Sequence, residues 1–181
     1  MSEPGDSRKE GNKPVADKAA ETRWVEVLNP EGAQIPASED FQCWVETVLR
    51  QEAPRRWSRP GPEAPVSLKV VSAAESQSLN RDYRGKDKPT NVLSFPADWP
   101  EELEIPVLGD LAICAEVVEQ EAAAQNKPLA DHWAHLVVHG VLHLLGYDHI
   151  ADDEAKRMEA REVALLAELG IADPYRIQDN T

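Results

Sequence analysis

The chain holds 181 residues, 41% of them apolar, with 14 prolines, 9 glycines and 2 cysteines. That suits one domain around one core and excludes collagen-like, disulfide-scaffold and wholly disordered classes. Nineteen basic against 33 acidic residues leave a formal charge of −14, and no apolar run approaches the roughly 20 residues of a membrane-spanning helix.

Residues 1–22 are rich in Pro, Gly, Glu, Lys and Asp and contain no apolar stretch. They read as a disordered polar tail rather than a secretory signal, which leaves a single domain over 23–178. Trp24 to Leu28 has strand composition and ends at Asn29-Pro30. Ser38 caps a helix to about Gln51, with Phe41, Trp44, Val45 and Val48 on one face. The proline-bearing stretch 52–64 is a loop. Val66, Leu68 and Val70 alternate with Ser67, Lys69 and Val71 as a strand. Ser72 caps a short helix through about Asn80, and the polar RDYRGKDKPT after it reads as a loop. Val92 to Phe95 is a short strand closed by Pro96, and the acidic Trp99 to Pro106 is a second loop. Asp110 to Cys114 is a strand, with Leu111 and Ile113 on one side, followed by a helix from Ala115 to about Gln125.

Pro128 suits the first turn of the next helix, which runs to Leu145 and stops at Gly146. Asp152, Asp153 and Glu154 open a last helix, where acids complement the N-terminal dipole. Met158, Leu165, Leu166 and Leu169 line its inner side, and Gly170 ends it. This irregular alternation predicts a single α+β domain with a small mixed sheet and several helices. Cys43 and Cys114 fall in core-like elements and read as buried free thiols in a reducing cytosol.

All five histidines lie between positions 132 and 149. His132, His135, His139 and His143 share about 80° of arc on one helix. His139 and His143, at i and i+4, place two imidazoles side by side. Gly146 lets the chain turn, and His149 can swing back toward the same point. Three such nitrogens leave a tetrahedral ion one open position for water, the catalytic rather than the structural pattern. His135 is an alternative ligand one turn further from His149, and His132 is structural or exposed. Asp148 either orients an imidazole or serves the turn. Three imidazoles suit one divalent ion, zinc first, with nickel, copper or iron open. Such an ion lowers the pKa of its water to about 7 or polarises a phosphoryl or carbonyl oxygen.

The spacing also matches the zinc-peptidase pattern HExxHxxGxxH, but Gly140 stands where a peptidase carries its glutamate base. Phosphate chemistry needs a fixed cation instead. Residues 50–88 hold nine basic and five acidic side chains, a local +4 in an acidic chain. Local potential sets contact with phosphate, although a solvated surface is the ordinary alternative. Within that stretch the loop Tyr83-Arg84-Gly85-Lys86-Asp87-Lys88 offers candidates, since arginine can donate a bidentate pair to phosphate.

Two long motifs carry a resemblance. One runs Tyr83-Arg84-Gly85-Lys86-Asp87-Lys88-Pro89-Thr90-Asn91-Val92-Leu93-Ser94-Phe95-Pro96. The other is His139-Gly140-x-Leu142-His143-Leu144-Leu145-Gly146-Tyr147-Asp148-His149, with Leu108-Gly109-Asp110-Leu111 between them. Together they resemble the bacterial YbeY endoribonucleases over about residues 24–177. The resemblance implies a zincin-like metal helix acting on RNA. It also implies a role in ribosomal RNA maturation, notably at the 3′ end of the small-subunit RNA, and in ribosome quality control. It puts the metal ligands at His139, His143 and His149 and the catalytic arginine at Arg84. Arg81, Lys86 and Lys88 extend a substrate-binding path. The resulting expectation is a cytoplasmic, metal-dependent endoribonuclease that prefers single-stranded RNA. The acidic total points to a ribosomal or assembly-factor protein partner. The alternatives are a non-enzymatic assembly factor with a structural metal, or a metallopeptidase.

Overall fold

Short runs of β-branched and leucine residues build a four-stranded mixed sheet, described in a computed structural model over residues 23–54, 57–58, 63–103 and 105–176. The predicted tail at 1–22 and the last two residues of the predicted domain, 177–178, lie outside the described residues. The strands are β1 (Val25–Leu28), β2 (Val66–Val71), β3 (Val92–Pro96) and β4 (Gly109–Cys114), in spatial order β1-β2-β4-β3. β1 and β4 flank β2 in parallel, whereas β3 runs antiparallel to β4 at the sheet edge. Pro96 is tolerated because edge strands leave N–H positions unpaired. The helices are α1 (Ser38–Glu52), α2 (Ala73–Arg84), α3 (Ala115–Ala124), α4 (Leu129–Leu144) and α5 (Asp152–Glu168). This is the single α+β domain the sequence predicts.

The period-2 pattern of the strands divides the core. Val66, Leu68, Val70, Leu111 and Ile113 join the main core with α1 and α4. Val71, Leu93, Ala112 and Cys114 form a smaller cluster, packed by Leu79 of α2 and by Phe95. In the main core Phe41 meets Trp44 and Trp133 edge-on, with ring centroids 5.4 and 5.8 Å away. Such edge-to-face pairs add about 0.5–1.5 kcal/mol beyond area burial.

Three expectations need correction. Ala37 rather than Ser38 is the N-cap of α1, and no side chain caps that helix. Cys43 is exposed while Cys114 is buried. The buried stripe of α1 is Phe41, Trp44, Val45, Val48 and Leu49, and Cys43 lies about 200° round the helix from Phe41. The helix after Ser72 also runs one turn further than predicted. Arg81, Asp82, Tyr83 and Arg84 belong to α2, which Gly85 ends with φ of 69°. All four side chains are exposed, so polarity could not separate a solvated helical turn from a loop. The Ser72 cap is as expected, its hydroxyl accepting from the Glu75 N–H at 3.2 Å. Pro128 stands at the N-cap of α4, one place before the first turn.

α4 is the central helix. Ten of its 16 residues are buried, and it packs on α1, β3, α3 and α5. It approaches the sheet at Gly140, where an added Cβ would lie 2.8 Å from Leu111 Cδ2 and 3.3 Å from Val92 Cγ2. The Ser94 hydroxyl donates to the Gly140 carbonyl at 3.1 Å across the same contact. A glutamate here would overpack the core and bury a charge. Gly140→Glu is therefore expected to cost about 3 kcal/mol or more, lowering the melting temperature by roughly 6–12 °C. An unchanged melting temperature would show that the contact yields without cost.

Candidate active site

His139 and His143 project from the last two turns of α4. Gly146, with φ of 97°, then reverses the chain, and His149 returns to the same place. The His143 Nε2 lies 3.1 Å from His139 Nε2 and 3.0 Å from His149 Nδ1. One ligand nitrogen from each ring falls within 4.8 Å of the others. Two nitrogens bound to one tetrahedral ion at 2.0–2.1 Å sit roughly 3.3–3.4 Å apart. The spacing and chemistry of this donor set therefore fit one divalent ion.

Burial lowers the His143 pKa to about 4, helped by His139, His149 and Arg84 and opposed by a hydrogen bond to the Tyr147 backbone. His143 is thus neutral, and able to ligate, across the physiological range. Asp148 serves the turn. Its Oδ1 accepts from the N–H groups of His149 at 2.7 Å and Ile150 at 3.2 Å. The Tyr147 hydroxyl donates to Glu52 at 2.8 Å, bracing the same turn against the end of α1.

The other two histidines on this helix have different partners. His132 is buried, and its Nε2 lies 2.8 Å from Glu121 Oε2. Glu121 in turn accepts from the Asn91 amide at 3.1–3.2 Å. His135 Nε2 lies 2.9 Å from Glu162 Oε2, while the other oxygen of Glu162 meets His139 Nδ1 at 2.5 Å. The Tyr175 hydroxyl also donates to Glu162 Oε2. Burial opposes ionisation of Glu162, but the hydrogen bonds from His135, His139 and Tyr175 outweigh it and hold the carboxyl at about 2. Sequence reading missed Glu162. It has the helical position of an ordinary acid in α5, and only its spacing of four from Met158 and of three and four from Leu165 and Leu166 places it on the inward face.

Arg84, Lys86 and Lys88 line one pocket with the three histidines, a cavity of about 270 Å³. Asn80, Thr90, Asn91 and Ser94 add polar walls, and no carboxylate among the described residues lines it. Arg81 lies outside, its guanidinium 3.4 Å from Asp82 and 3.8 Å from Asp87. The loop bearing the two lysines is tied to α2. The Ser76 hydroxyl donates to the Thr90 carbonyl and accepts from its N–H, both at 2.9 Å. The Asn80 amide donates to the Lys88 carbonyl at 2.8 Å. Neither Ser76 nor Asn80 was singled out from sequence.

The fold is similar to the solution structure of TM1509 from Thermotoga maritima. The two are 25% identical, the alignment covers 84% of this chain and 99% of that one, and the TM-score is 0.50. The family described as endoribonuclease YbeY matches residues 28–170. The chain belongs to the YbeY family. Membership makes it an endoribonuclease, a hydrolase acting on RNA in ribosomal RNA processing. Both motifs that carried the resemblance, and every residue of the histidine cluster and basic pocket, fall inside the matched range. No helix among the described residues is long and apolar enough to cross a membrane.

Because His143 is depressed from 6.5 to about 4, the unfolded chain binds more protons than the folded one between those values. Its contribution to the stability of chelator-treated protein is complete above pH 6.5 and lost as pH falls through 4. Glu162, depressed from 4.5 to about 2, adds a second loss below pH 4.5. Melting temperature is expected to fall in both windows, and His143→Ala to flatten the upper one. A melting curve indifferent to pH between 6.5 and 4 would refute the burial argument.

Proposed function

We propose that this protein is a metal-dependent endoribonuclease that prefers single-stranded RNA and acts at the 3′ end of the small-subunit ribosomal RNA and in ribosome quality control. The observation that carries this reading is the lining of one pocket. Three imidazole side chains, two cationic lysines and an arginine converge there, with no carboxylate among the described residues, in a chain of net charge −14. Local charge of this sign attracts a phosphodiester and repels an acidic peptide's counterpart, a cationic one.

His139, His143 and His149 would hold one divalent ion, zinc by donor type. When bound, it supplies an activated water or polarises a phosphoryl oxygen. Arg84 acts as the catalytic cation. It closes α2 at the pocket wall, near enough to His143 to lower that ring's pKa. Its planar guanidinium can orient the scissile phosphate and neutralise charge that develops on it. Lys86 and Lys88 hold neighbouring phosphates from the same wall. Arg81 extends this path only after its guanidinium leaves Asp82 and Asp87.

The pocket between α2, β3 and α4 would take a strand whose bases are unpaired. A ribosomal or assembly-factor protein would hold that strand against a surface whose overall charge repels RNA. The reading places the protein in the cytoplasm, where ribosomes assemble. Peptide hydrolysis lacks its base, since Gly140 occupies the glutamate position and has no room for one.

The test measures ion content and cleavage of labelled single-stranded RNA on the same fractions. Wild type is expected to carry about one ion and to cut, and His143→Ala to lose both. Arg84→Ala is expected to keep the ion and lose about 10²–10³-fold in rate. Full activity in Arg84→Ala with normal ion content would remove its role. Chelation is expected to abolish cleavage and leave most helix content. Collapse of the helices would favour a structural metal in an assembly factor. Naked structured RNA is expected to bind weakly, and tight binding with a steep salt slope would dispense with the protein partner.

A further inference from the structure

Glu162 is a carboxylate with no solvent-exposed surface, set where α5 crosses α4. A buried carboxylate is costly unless its oxygens are paired. Here both oxygens are engaged, and their partners are two histidines from the same face of α4. Oε1 takes the Nδ1 proton of His139 at 2.5 Å. That bond assigns the tautomer, because a neutral imidazole that donates at Nδ1 presents a lone pair at Nε2. The His139 Nε2 is the atom that faces His143.

Oε2 takes the Nε2 proton of His135 at 2.9 Å. This occupies the one nitrogen by which His135 approaches the cluster, and its Nδ1 is buried with no partner among the described residues. The Tyr175 hydroxyl donates to the same oxygen, and its ring stands edge-on to His135 at 5.4 Å. Tyr175 lies beyond the family match, which ends at 170. Its segment is fastened by the Lys127 ammonium, which donates to the Pro174 carbonyl at 2.7 Å.

His135, His139 and Glu162 also satisfy the distances of a second metal group. The hydrogen bonds account for the same contacts with protons that neutral imidazoles already carry, so no second ion is needed.

We infer that Glu162, supported by the Tyr175 hydroxyl, is a positioning residue that turns His139 Nε2 toward the ion and withholds His135 from it. One carboxylate thereby sorts histidines that share a helix face into a ligand and a non-ligand. The inference rests on the proposed three-histidine metal site.

The test uses full-length wild type, Glu162→Gln and Tyr175→Phe, with two readouts. The first is zinc affinity by competition with a chelating dye. The second is the tautomer of each imidazole in chelator-treated protein, from long-range proton–nitrogen NMR. Wild type is expected to show His139 protonated at Nδ1 and His135 at Nε2. Glu162→Gln is expected to weaken zinc binding by about 10–100-fold and to lose the Nδ1 preference of His139. Tyr175→Phe is expected to shift both readouts in the same direction by less, and it decides between the outcomes if Glu162→Gln does not fold. Equal zinc affinity and unchanged tautomers in the variants would overturn the inference while leaving the metal site in place. Wild type that binds no zinc would overturn both.

Discussion

Helix α4 must lie almost in contact with the sheet at Gly140, and the rest of the site follows from that approach. The helix is buried on most of its faces, so its rotation is set by Trp133, Val137, Val141 and Leu144 in the core. With the rotation fixed, the histidine stripe has one direction left to face. His139 and His143 open toward the β3 edge, and the side chain-free surface at Gly140 allows Ser94 and Val92 to close in beside them. A longer side chain at this position would push the helix outward and open the cluster to solvent. The same glycine therefore excludes the glutamate base of a peptidase and brings the pocket wall to the histidines.

The electrostatics are arranged on a short length scale. A net charge of −14 would repel a polyanion if it were spread evenly. At physiological ionic strength, however, exposed charges are screened beyond about 8 Å. Three cations around one cavity therefore set the potential inside it, while the acids outside it still oppose a longer polyanion. Inside the domain the order is reversed. Acids meet the histidines, Glu121 at His132 and Glu162 at His135 and His139. The pocket's cations and the imidazole-facing carboxylates thus meet different parts of α4's histidine stripe.

The strands were legible because Val66, Leu68 and Val70, or Leu111 and Ile113, alternate with the period of a half-buried strand. The helices were legible from their caps and stops, such as Ser72, Gly146 and Gly170. The three-histidine cluster could be read because its geometry is local, spanning two helical turns and one reversal. The limits of α2 and the exposure of Cys43 were misread. Both depend on which side of a helix faces solvent, and composition reports that poorly when a turn is polar or a residue is small. Glu162 and Tyr175 were invisible for another reason. Their histidine partners lie 23 to 40 positions away, and nothing in a single sequence links an acid on one helix with an imidazole on another.

The loop after α2 carries the two lysines of the pocket, yet the buried groups that hold it are uncharged. Ser76 and Asn80 are buried, and they grip the backbone at Lys88 and Thr90 rather than any side chain. Fixing a residue's backbone costs about 1–2 kcal/mol in conformational entropy. For this loop that cost is met when the chain folds, so in the proposed role it would not be subtracted again on binding of a phosphate. In the proposed role the cations would also be free to exchange one phosphate for the next, because the scaffold does not depend on them.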